Sequence, residues 1–178
     1  CDLYEDAGEL TDHADANASA GLYAINAPVN AVFDCDWELM GLLKRAYELA
    51  DITNGYYQPV FGTVLRLLEE NPQPEDALLN EALSHTGTDK ITVENSAVYK
   101  TDPKAQVDLT GVRDGYALET IIAYLNESPV VYGFVTLNDS AGVFGTKADE
   151  KPFEIGIAGD TGDTSVIGSV QTESGYVF

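Results

Sequence analysis

The sequence predicts a single α+β domain, with helices mostly in the N-terminal half and a mixed or antiparallel sheet in the C-terminal half. Apolar residues recur at helical spacing before residue 90, whereas alternating apolar runs with Gly- and Asp-rich connections follow residue 130. A chain of 178 residues is long enough to bury a core within one domain, so we expect residues 1–178 to form a single domain.

Apolar periodicity and capping residues place the helices. Asp36 is the expected cap of the first helix, and Gly55 marks its exit. Pro59 opens the second helix, while the third has Pro74 near its first turn and Gly87 just past its end. The expected helices cover 36–50, 59–70, the later part of 71–87, and 111–127.

Period-two alternation places the strands. The run 91–100 alternates and breaks near Asn95, which predicts a hairpin. The apolar run 105–109 contains Asp108 and leads directly into a helix, so it is predicted to be a strand. Further strands are expected at 130–137, 141–146, 153–159 and 165–172.

The chain is strongly acidic, since 30 acidic residues against nine basic ones give a formal net charge of −21. Such a chain repels nucleic acid and anionic membrane surfaces, so no nucleic-acid partner is expected. The acids are scattered among apolar residues, which favours a solvated surface, and an extracellular or high-salt setting also fits. The sequence contains no run of about 18 apolar residues, the length that predicts a membrane span.

Neither the cysteines nor the histidines fall in a metal-binding pattern. Cys1 and Cys35 lack a second ligand at suitable spacing, so we expect no metal or catalytic role for them, and a disulfide stays open. His13 and His85 are interpreted as surface residues. Cys1 is similar to the lipidated first residue of a mature bacterial lipoprotein. A lipid anchor there would make the protein extracytoplasmic, periplasmic or at the cell surface; a chain that starts with Cys by chance is the alternative.

The corner "DLTGVRDGY", residues 108–116, admits two interpretations. A helix N-terminus attracts phosphate, but Asp108 beside it would repel a bare phosphate, so a Mg²⁺ ion, a ribose or a base between them would explain the pattern. The alternative is that Asp108 or Thr110 caps the helix and that Gly111 only permits a tight turn.

The loop "TNGYYQP", residues 53–59, is a second candidate for ligand contact. Tyr56 and Tyr57 offer flat rings for stacking, and Gln58 can hydrogen-bond the edge of a ring system. The alternative is a glycine helix stop followed by tyrosines of the core.

In their order and spacing, these stretches resemble the ApbE family of flavin transferases, which move FMN from FAD onto a protein. The family pattern includes a Thr/Ser-(Asp/Asn)-Gly-Ala-(Phe/Leu)-Asp loop after a helix and an Asp-Leu corner that continues to Gly-Tyr-Ala. The stretches of this chain that are similar to the pattern are SAGLYAIN (19–26), TNGYYQPV (53–60), DLTGVRDGYA (108–117), TLND (136–139), FEIGI (153–157) and TESGY (172–176).

The resemblance implies an FAD site that works with Mg²⁺. The residues implied to contact FAD are Tyr56, Tyr57, Gln58, Asp108 and Asp114. The resemblance further implies that Gly111 offers its main-chain carbonyl oxygen to Mg²⁺, and that Thr172 and Tyr176 lie near the site without an assigned role.

The chain departs from the family pattern at several positions. Gln58 stands where the loop Asp is expected, and Asn138-Asp139 stands where the pattern has Gly-Gly. The pattern also has an opening strand before Cys1, and a His-x-Ile-Asp-Pro segment and a magnesium-binding Asp/Thr pair after Phe178. We therefore expect the 178 residues alone to bind FAD weakly or not at all and to transfer no FMN.

The partner implied by the resemblance is an acceptor flavoprotein that receives FMN on a Ser or Thr within the motif Ser/Thr-Gly-Ala-Ser/Thr. The run "TGDTS", residues 161–165, lacks the Ala, so this chain is not expected to be an acceptor. Two other hypotheses stay open. In the first, the protein is a catalytically incomplete relative that binds a flavin nucleotide or binds nothing. In the second, it is an acidic extracellular interaction module that kept only the fold.

Overall fold

The computed structural model describes residues 21–138, 140–159 and 166–177, and it confirms the α+β class. Most helices precede the strand-rich C-terminal part, whose strands pair antiparallel. The chain divides into two compact units, one ending at Arg113 and the other beginning at Asp114. The single-domain expectation for residues 1–178 stays a prediction, and the first 20 residues lie outside the described part.

Helices of the first unit form largely where the apolar spacing predicts them. Asp36 caps the second helix as expected, because its side chain accepts a hydrogen bond from the Glu38 N–H at 2.8 Å. Gly55 ends the same helix with φ +82°, and its N–H donates to the Ala50 carbonyl at 2.8 Å. The helices are α1 (Leu22–Asn26), which the sequence analysis did not predict, α2 (Trp37–Ile52), α3 (Gly62–Glu70) and α4 (Asp76–Ser84).

The start of α3 differs from the expectation, because the helix begins at Gly62 and not at Pro59. The Pro59 carbonyl accepts a hydrogen bond from the Asp108 N–H at 2.8 Å, and the Gly62 N–H donates to the Gln106 carbonyl at 3.0 Å. A Cβ on Gly62 would lie 3.1 Å from Gln106 atoms. The backbone before α3 therefore pairs with a distant segment instead of forming a helical turn.

A small antiparallel sheet completes the first unit, in the order β1-β3-β2. Its strands are β1 (Ala31–Val32), β2 (Ile91–Glu94) and β3 (Ala97–Lys100). The predicted hairpin is confirmed in β2 and β3, with Asn95 in the left-handed region at φ +51°. A short 3-10 helix at Thr88–Lys90 precedes β2. The helix α2 buries residues spaced three and four apart, namely Leu39, Leu42, Leu43 and Ala46.

Residues 105–109 are not a strand, which corrects the prediction for this run. The buried Asn26 side chain takes the place of a strand partner for Val107. Its Oδ1 accepts from the Val107 N–H at 2.7 Å, and its Nδ2 donates to the Val107 carbonyl at 2.8 Å. The alternating apolar pattern of this run does reflect burial, since Ala105, Val107 and Leu109 are buried. The hydrogen bonds to the Val107 backbone, however, come from the Asn26 side chain and not from a strand.

Lys100 is a buried charged residue that ties β3 to the end of α1. Its Nζ donates to the carbonyls of Ile25 at 3.1 Å and Ala27 at 2.9 Å. Burial lowers the pKa of Lys100 to about 8. The amine satisfies carbonyls at the C-terminal end of α1 and so fixes the position of Asn26, the last residue of that helix.

The interpretation of His85 as a surface residue is wrong. Its side chain is only 17% exposed, and Nδ1 lies 2.6 Å from Oδ2 of Asp102. The pairing holds the end of α4 against the segment that leads to residues 105–109. Burial acts to raise the pKa of Asp102, but hydrogen bonds from His85 and the Lys104 N–H outweigh it and keep that pKa below its usual value.

The second unit contains most of the long helix α5 (Thr110–Asn126), which confirms the predicted helix with a start one residue earlier. Its strands are β4 (Tyr132–Leu137), β5 (Ser140–Gly145), β6 (Phe153–Ala158), β7 (Val166–Thr172) and β8 (Gly175–Val177). They form one antiparallel sheet in the order β4-β5-β8 and a separate β6-β7 ribbon. The strand β8 was not predicted.

The sheet of the second unit packs closely against α5. A Cβ on Gly142 would meet the end of the Ile122 side chain, so a larger residue at position 142 would require the Ile122 side chain to shift. A small core forms from Ala141 and Val143 of β5 and Ile155 of β6, with Phe153 and Val177 packed against it.

No helix within the described residues combines the length and the apolar character needed to cross a membrane. The possible lipid anchor at Cys1 lies outside the described residues. Cys35 carries a buried free thiol, and burial is the main cause that raises its pKa. A raised thiol pKa disfavours the reactive thiolate, while the expectation that Cys35 has no metal or catalytic role stays a prediction.

We expect Asn26→Ala to lower the free energy of unfolding by about 3 kcal/mol, because a buried N–H and a buried carbonyl of Val107 lose their partners together. Urea denaturation measures this change. The matched control is Asn80→Ala, an exposed asparagine in α4, which should change the free energy by less than about 0.5 kcal/mol. Equal small effects of both substitutions would contradict the structural role given to Asn26.

Candidate functional site

The loop that follows α2 is organised by Thr53. The Thr53 hydroxyl donates to the Leu49 carbonyl at 2.7 Å and accepts from the Tyr57 N–H at 3.0 Å. Asn54 and Gly55 have positive φ values of 52° and 82°, which turn the chain sharply out of the helix. This geometry leaves the Tyr56 side chain 97% exposed.

Tyr57, the next residue of the loop, is half-buried. Within the described residues its hydroxyl is buried and has no hydrogen-bond partner. Burial, and secondly the charge of Asp108, raise the pKa of Tyr57 to about 12, so the phenol stays protonated at neutral pH. Gln58 uses its Oε1 to accept from the Val60 N–H at 3.1 Å, which fixes the end of the loop.

Asp108 and Gly111 form the corner at the start of α5. Oδ1 of Asp108 accepts from the Thr110 N–H at 3.1 Å and from the Thr110 hydroxyl. This local capping is one of the two interpretations left open by the sequence, and it engages one carboxylate oxygen. A Cβ on Gly111 would lie 3.3 Å from Cε2 of Tyr57, so the glycine makes room for the tyrosine ring.

The first unit therefore brings together Tyr57, Asp108 and Gly111, three of the residues that the resemblance implied. The loop and the corner are joined directly by the backbone bond between Asp108 and Pro59. Tyr56 and Gln58 lie on the same loop as Tyr57.

Asp114 belongs to the second unit, where it has a partner that the sequence analysis did not identify. Nδ2 of Asn138 donates to Oδ2 of Asp114 at 2.8 Å. Asn138 has φ +49° at the turn between β4 and β5. The sequence shows that asparagine stands at position 138 where the family pattern has glycine. It does not show that this side chain binds Asp114, which lies 24 residues earlier.

Thr172 and Tyr176 lie near each other in the second unit, at the end of β7 and in β8. The Thr172 hydroxyl donates to the Ser174 carbonyl at 2.6 Å, which closes the turn between these strands. Burial, followed by the charge of Glu119, raises the pKa of Tyr176. The hydrogen bond gives Thr172 a structural role, and a role of Thr172 or Tyr176 in ligand binding stays a prediction.

The donors at the corner suit a hard cation. Asp108 supplies carboxylate oxygen and Gly111 supplies a carbonyl, and Mg²⁺ prefers oxygen ligands. Gly111 is the second residue of α5, so its carbonyl faces the helical N–H four residues on, but a carbonyl oxygen has a second lone pair. Within the described ranges no cluster of three or more His, Cys, Asp or Glu side chains could hold a metal. The corner thus fits part of a magnesium ligand set.

We expect Tyr57→Phe to raise the free energy of unfolding by about 1 kcal/mol, because it removes a buried hydroxyl that has no partner. Tyr47→Phe is the matched control, since the Tyr47 hydroxyl donates to the Ile91 carbonyl at 2.7 Å. The free energy of unfolding of the Tyr47→Phe variant should fall by about 1 kcal/mol. Urea denaturation of both variants measures the difference, and equal destabilisation would show that the Tyr57 hydroxyl is paired.

The sequence and the fold of this chain are similar to those of known proteins, and these similarities identify its family. Two curated relatives named FAD:protein FMN transferase are similar to the chain. The one from Vibrio cholerae is 24% identical over 131 residues, and the one from Haemophilus influenzae is 25% identical over 144 residues. These matches cover 70% and 74% of this chain but only 39% and 41% of the relatives.

Solved structures agree in fold. The ApbE protein of Thermotoga maritima has a TM-score of 0.79 at 25% identity, with 98% of this chain and 60% of that chain covered. The flavin transferase ApbE of Vibrio cholerae has a TM-score of 0.76 at 20% identity, with 96% and 56% covered. The model of the ApbE family matches residues 6–177, which is nearly the whole chain, and the protein therefore belongs to the ApbE family.

Proposed function

We propose that this protein functions in flavin transfer, in which FMN moves from FAD to a Ser or Thr hydroxyl of an acceptor protein with the help of Mg²⁺. The observation that carries the proposal is the contact between the Tyr57 ring and Gly111 at the start of α5, beside Asp108. It joins two stretches of the family pattern, which lie about 50 residues apart in the sequence, into one corner.

Charge explains why the proposal includes Mg²⁺. The N-terminus of α5 attracts a phosphate through its free N–H groups and its dipole. Asp108 and the formal net charge of −21 oppose the same phosphate. A bound Mg²⁺ would neutralise the pyrophosphate charge. Asp108 and the Gly111 carbonyl are the residues in this corner that would hold it.

Tyr56 and Asp114 are two further residues predicted to contact FAD, and their side chains suit different kinds of chemical group. Tyr56 exposes a whole flat ring, which suits stacking on the isoalloxazine or the adenine of FAD. The carboxylate of Asp114 accepts hydrogen bonds, so it suits a hydroxyl or amine group of the nucleotide and not a phosphate.

The transfer itself is a phosphoryl displacement. The acceptor hydroxyl oxygen forms a bond to the phosphorus on the FMN side of FAD. The bond from that phosphorus to the bridging oxygen breaks, and AMP leaves with the electron pair, while the hydroxyl proton passes to a base. No described residue is assigned as that base, because Nε2 of His85, the ring nitrogen not bound to Asp102, is buried.

The proposal extends to a partner and a location. The acceptor is a flavoprotein with the motif Ser/Thr-Gly-Ala-Ser/Thr. The proposed location is extracytoplasmic, which the acidic composition of the sequence fits.

We expect FAD binding to depend on Mg²⁺ and on Tyr56. Removal of Mg²⁺ with a chelator should weaken binding by about tenfold, and Tyr56→Ala by a similar factor, because stacking contributes about 1–3 kcal/mol. Quenching of FAD fluorescence measures both effects. Trp37→Ala is the control, because Trp37 is also a highly exposed aromatic residue of the first unit, 75% exposed. The proposed function requires at least the weak FAD binding that the sequence analysis allows. Equal losses in both variants, or no saturable signal for the unaltered chain at high FAD concentration, would therefore contradict the proposal.

The 178 residues alone are expected to transfer no FMN. A positioned acid–base group typically contributes about 10²–10⁴ in rate. Nε2 of His85, the histidine among the described residues, is buried and so is not placed to transfer a proton to or from a bound substrate. The test mixes the chain with FAD, Mg²⁺ and a protein bearing the acceptor motif. Mass spectrometry then detects covalent FMN. Its appearance on the acceptor, abolished by Asp108→Asn, would show this expectation to be wrong.

A further inference from the structure

The turn between β4 and β5 carries a side chain that reaches a predicted nucleotide contact. Asn138 follows Leu137, and the register pairs Leu137 with Ser140, so the strands are joined by a two-residue turn. From this turn, Nδ2 of Asn138 reaches Oδ2 of Asp114 on α5 at 2.8 Å. Both residues lie in the second unit.

The backbone of the turn does not by itself require asparagine. Two-residue hairpin turns need positive φ, and Asn138 has φ +49°. Glycine adopts this conformation without strain, so it would serve the turn at least as well. Asparagine differs from glycine in having a side-chain amide, and in the structure this amide donates a hydrogen bond to Asp114.

We propose that Asn138 is a positioning residue for Asp114, which it holds so that the carboxylate accepts a hydrogen bond from a hydroxyl or amine group of the bound nucleotide. This inference rests on the proposed function, since it assumes that Asp114 contacts FAD. The amide is neutral, so Asn138 fixes the plane of the carboxylate without cancelling its charge. An oriented carboxylate loses less conformational freedom when the ligand binds.

The experiment is a double-mutant cycle on FAD affinity, with Asn138→Gly, Asp114→Asn and the combined variant titrated with FAD at saturating Mg²⁺. Asn138→Gly should weaken FAD binding by about three- to tenfold, which is the scale of one hydrogen bond to a charged group. Asp114→Asn should weaken it at least as much. The combined variant should bind no more weakly than Asp114→Asn alone, because the amide acts only through the carboxylate.

Two further variants separate positioning from turn stability. Asn95→Gly is the matched control, because Asn95 also stands in a hairpin turn with φ +51°, and it should leave FAD affinity unchanged. Asn138→Asp keeps the shape but replaces the donor with a second carboxylate, so it should weaken binding more than Asn138→Gly does. Thermal unfolding of each variant without FAD should show intact folding.

The outcomes distinguish this inference from the proposed function. If the unaltered chain gives no saturable FAD binding, both are overturned. If it binds FAD but Asn138→Gly binds equally tightly, or if Asn138→Gly weakens binding as much in the Asp114→Asn background as alone, only the role of Asn138 is overturned.

Discussion

The arrangement of the first unit depends on the side-chain amide of Asn26, which pairs with both backbone groups of Val107. Buried backbone N–H and carbonyl groups must find partners, and the run 105–109 is not itself a strand of a sheet. The amide has one donor side and one acceptor side, so a single residue can imitate the edge of a strand. Lys100 holds the end of α1 and thereby keeps this amide in place.

The position of the candidate site follows from this constraint. Val107 is held on one side by Asn26, and its neighbour Asp108 donates its N–H to the Pro59 carbonyl. The loop with Tyr57 and the start of α5 therefore lie side by side, and Gly111 leaves room for the tyrosine ring. Asp108 has a local capping function here as well as the role proposed in binding. The capping interpretation is thus supported by a hydrogen bond, and the ligand interpretation stays a proposal.

Charge is the second constraint on function. An acidic protein can accept a pyrophosphate only if a cation or a set of aligned N–H groups offsets its field. The corner at Asp108 combines a helix N-terminus with oxygen donors, which is a chemically consistent way to meet that requirement. In the second unit, the Asp114 side chain accepts a hydrogen bond from the Asn138 amide, and its oxygens suit hydroxyl or amine groups of a ligand in the proposed function.

Local sequence signals determined the helices α2 to α5 and most of the strands, because apolar spacing, caps and turns act between residues close in the chain. The family resemblance was also readable from the sequence. Only the tertiary structure decided that 105–109 pairs with a side chain, that His85 is covered and bound to Asp102, and that Asn138 holds Asp114. These contacts join residues 17 to 81 positions apart, and which distant groups meet depends on how the whole chain packs.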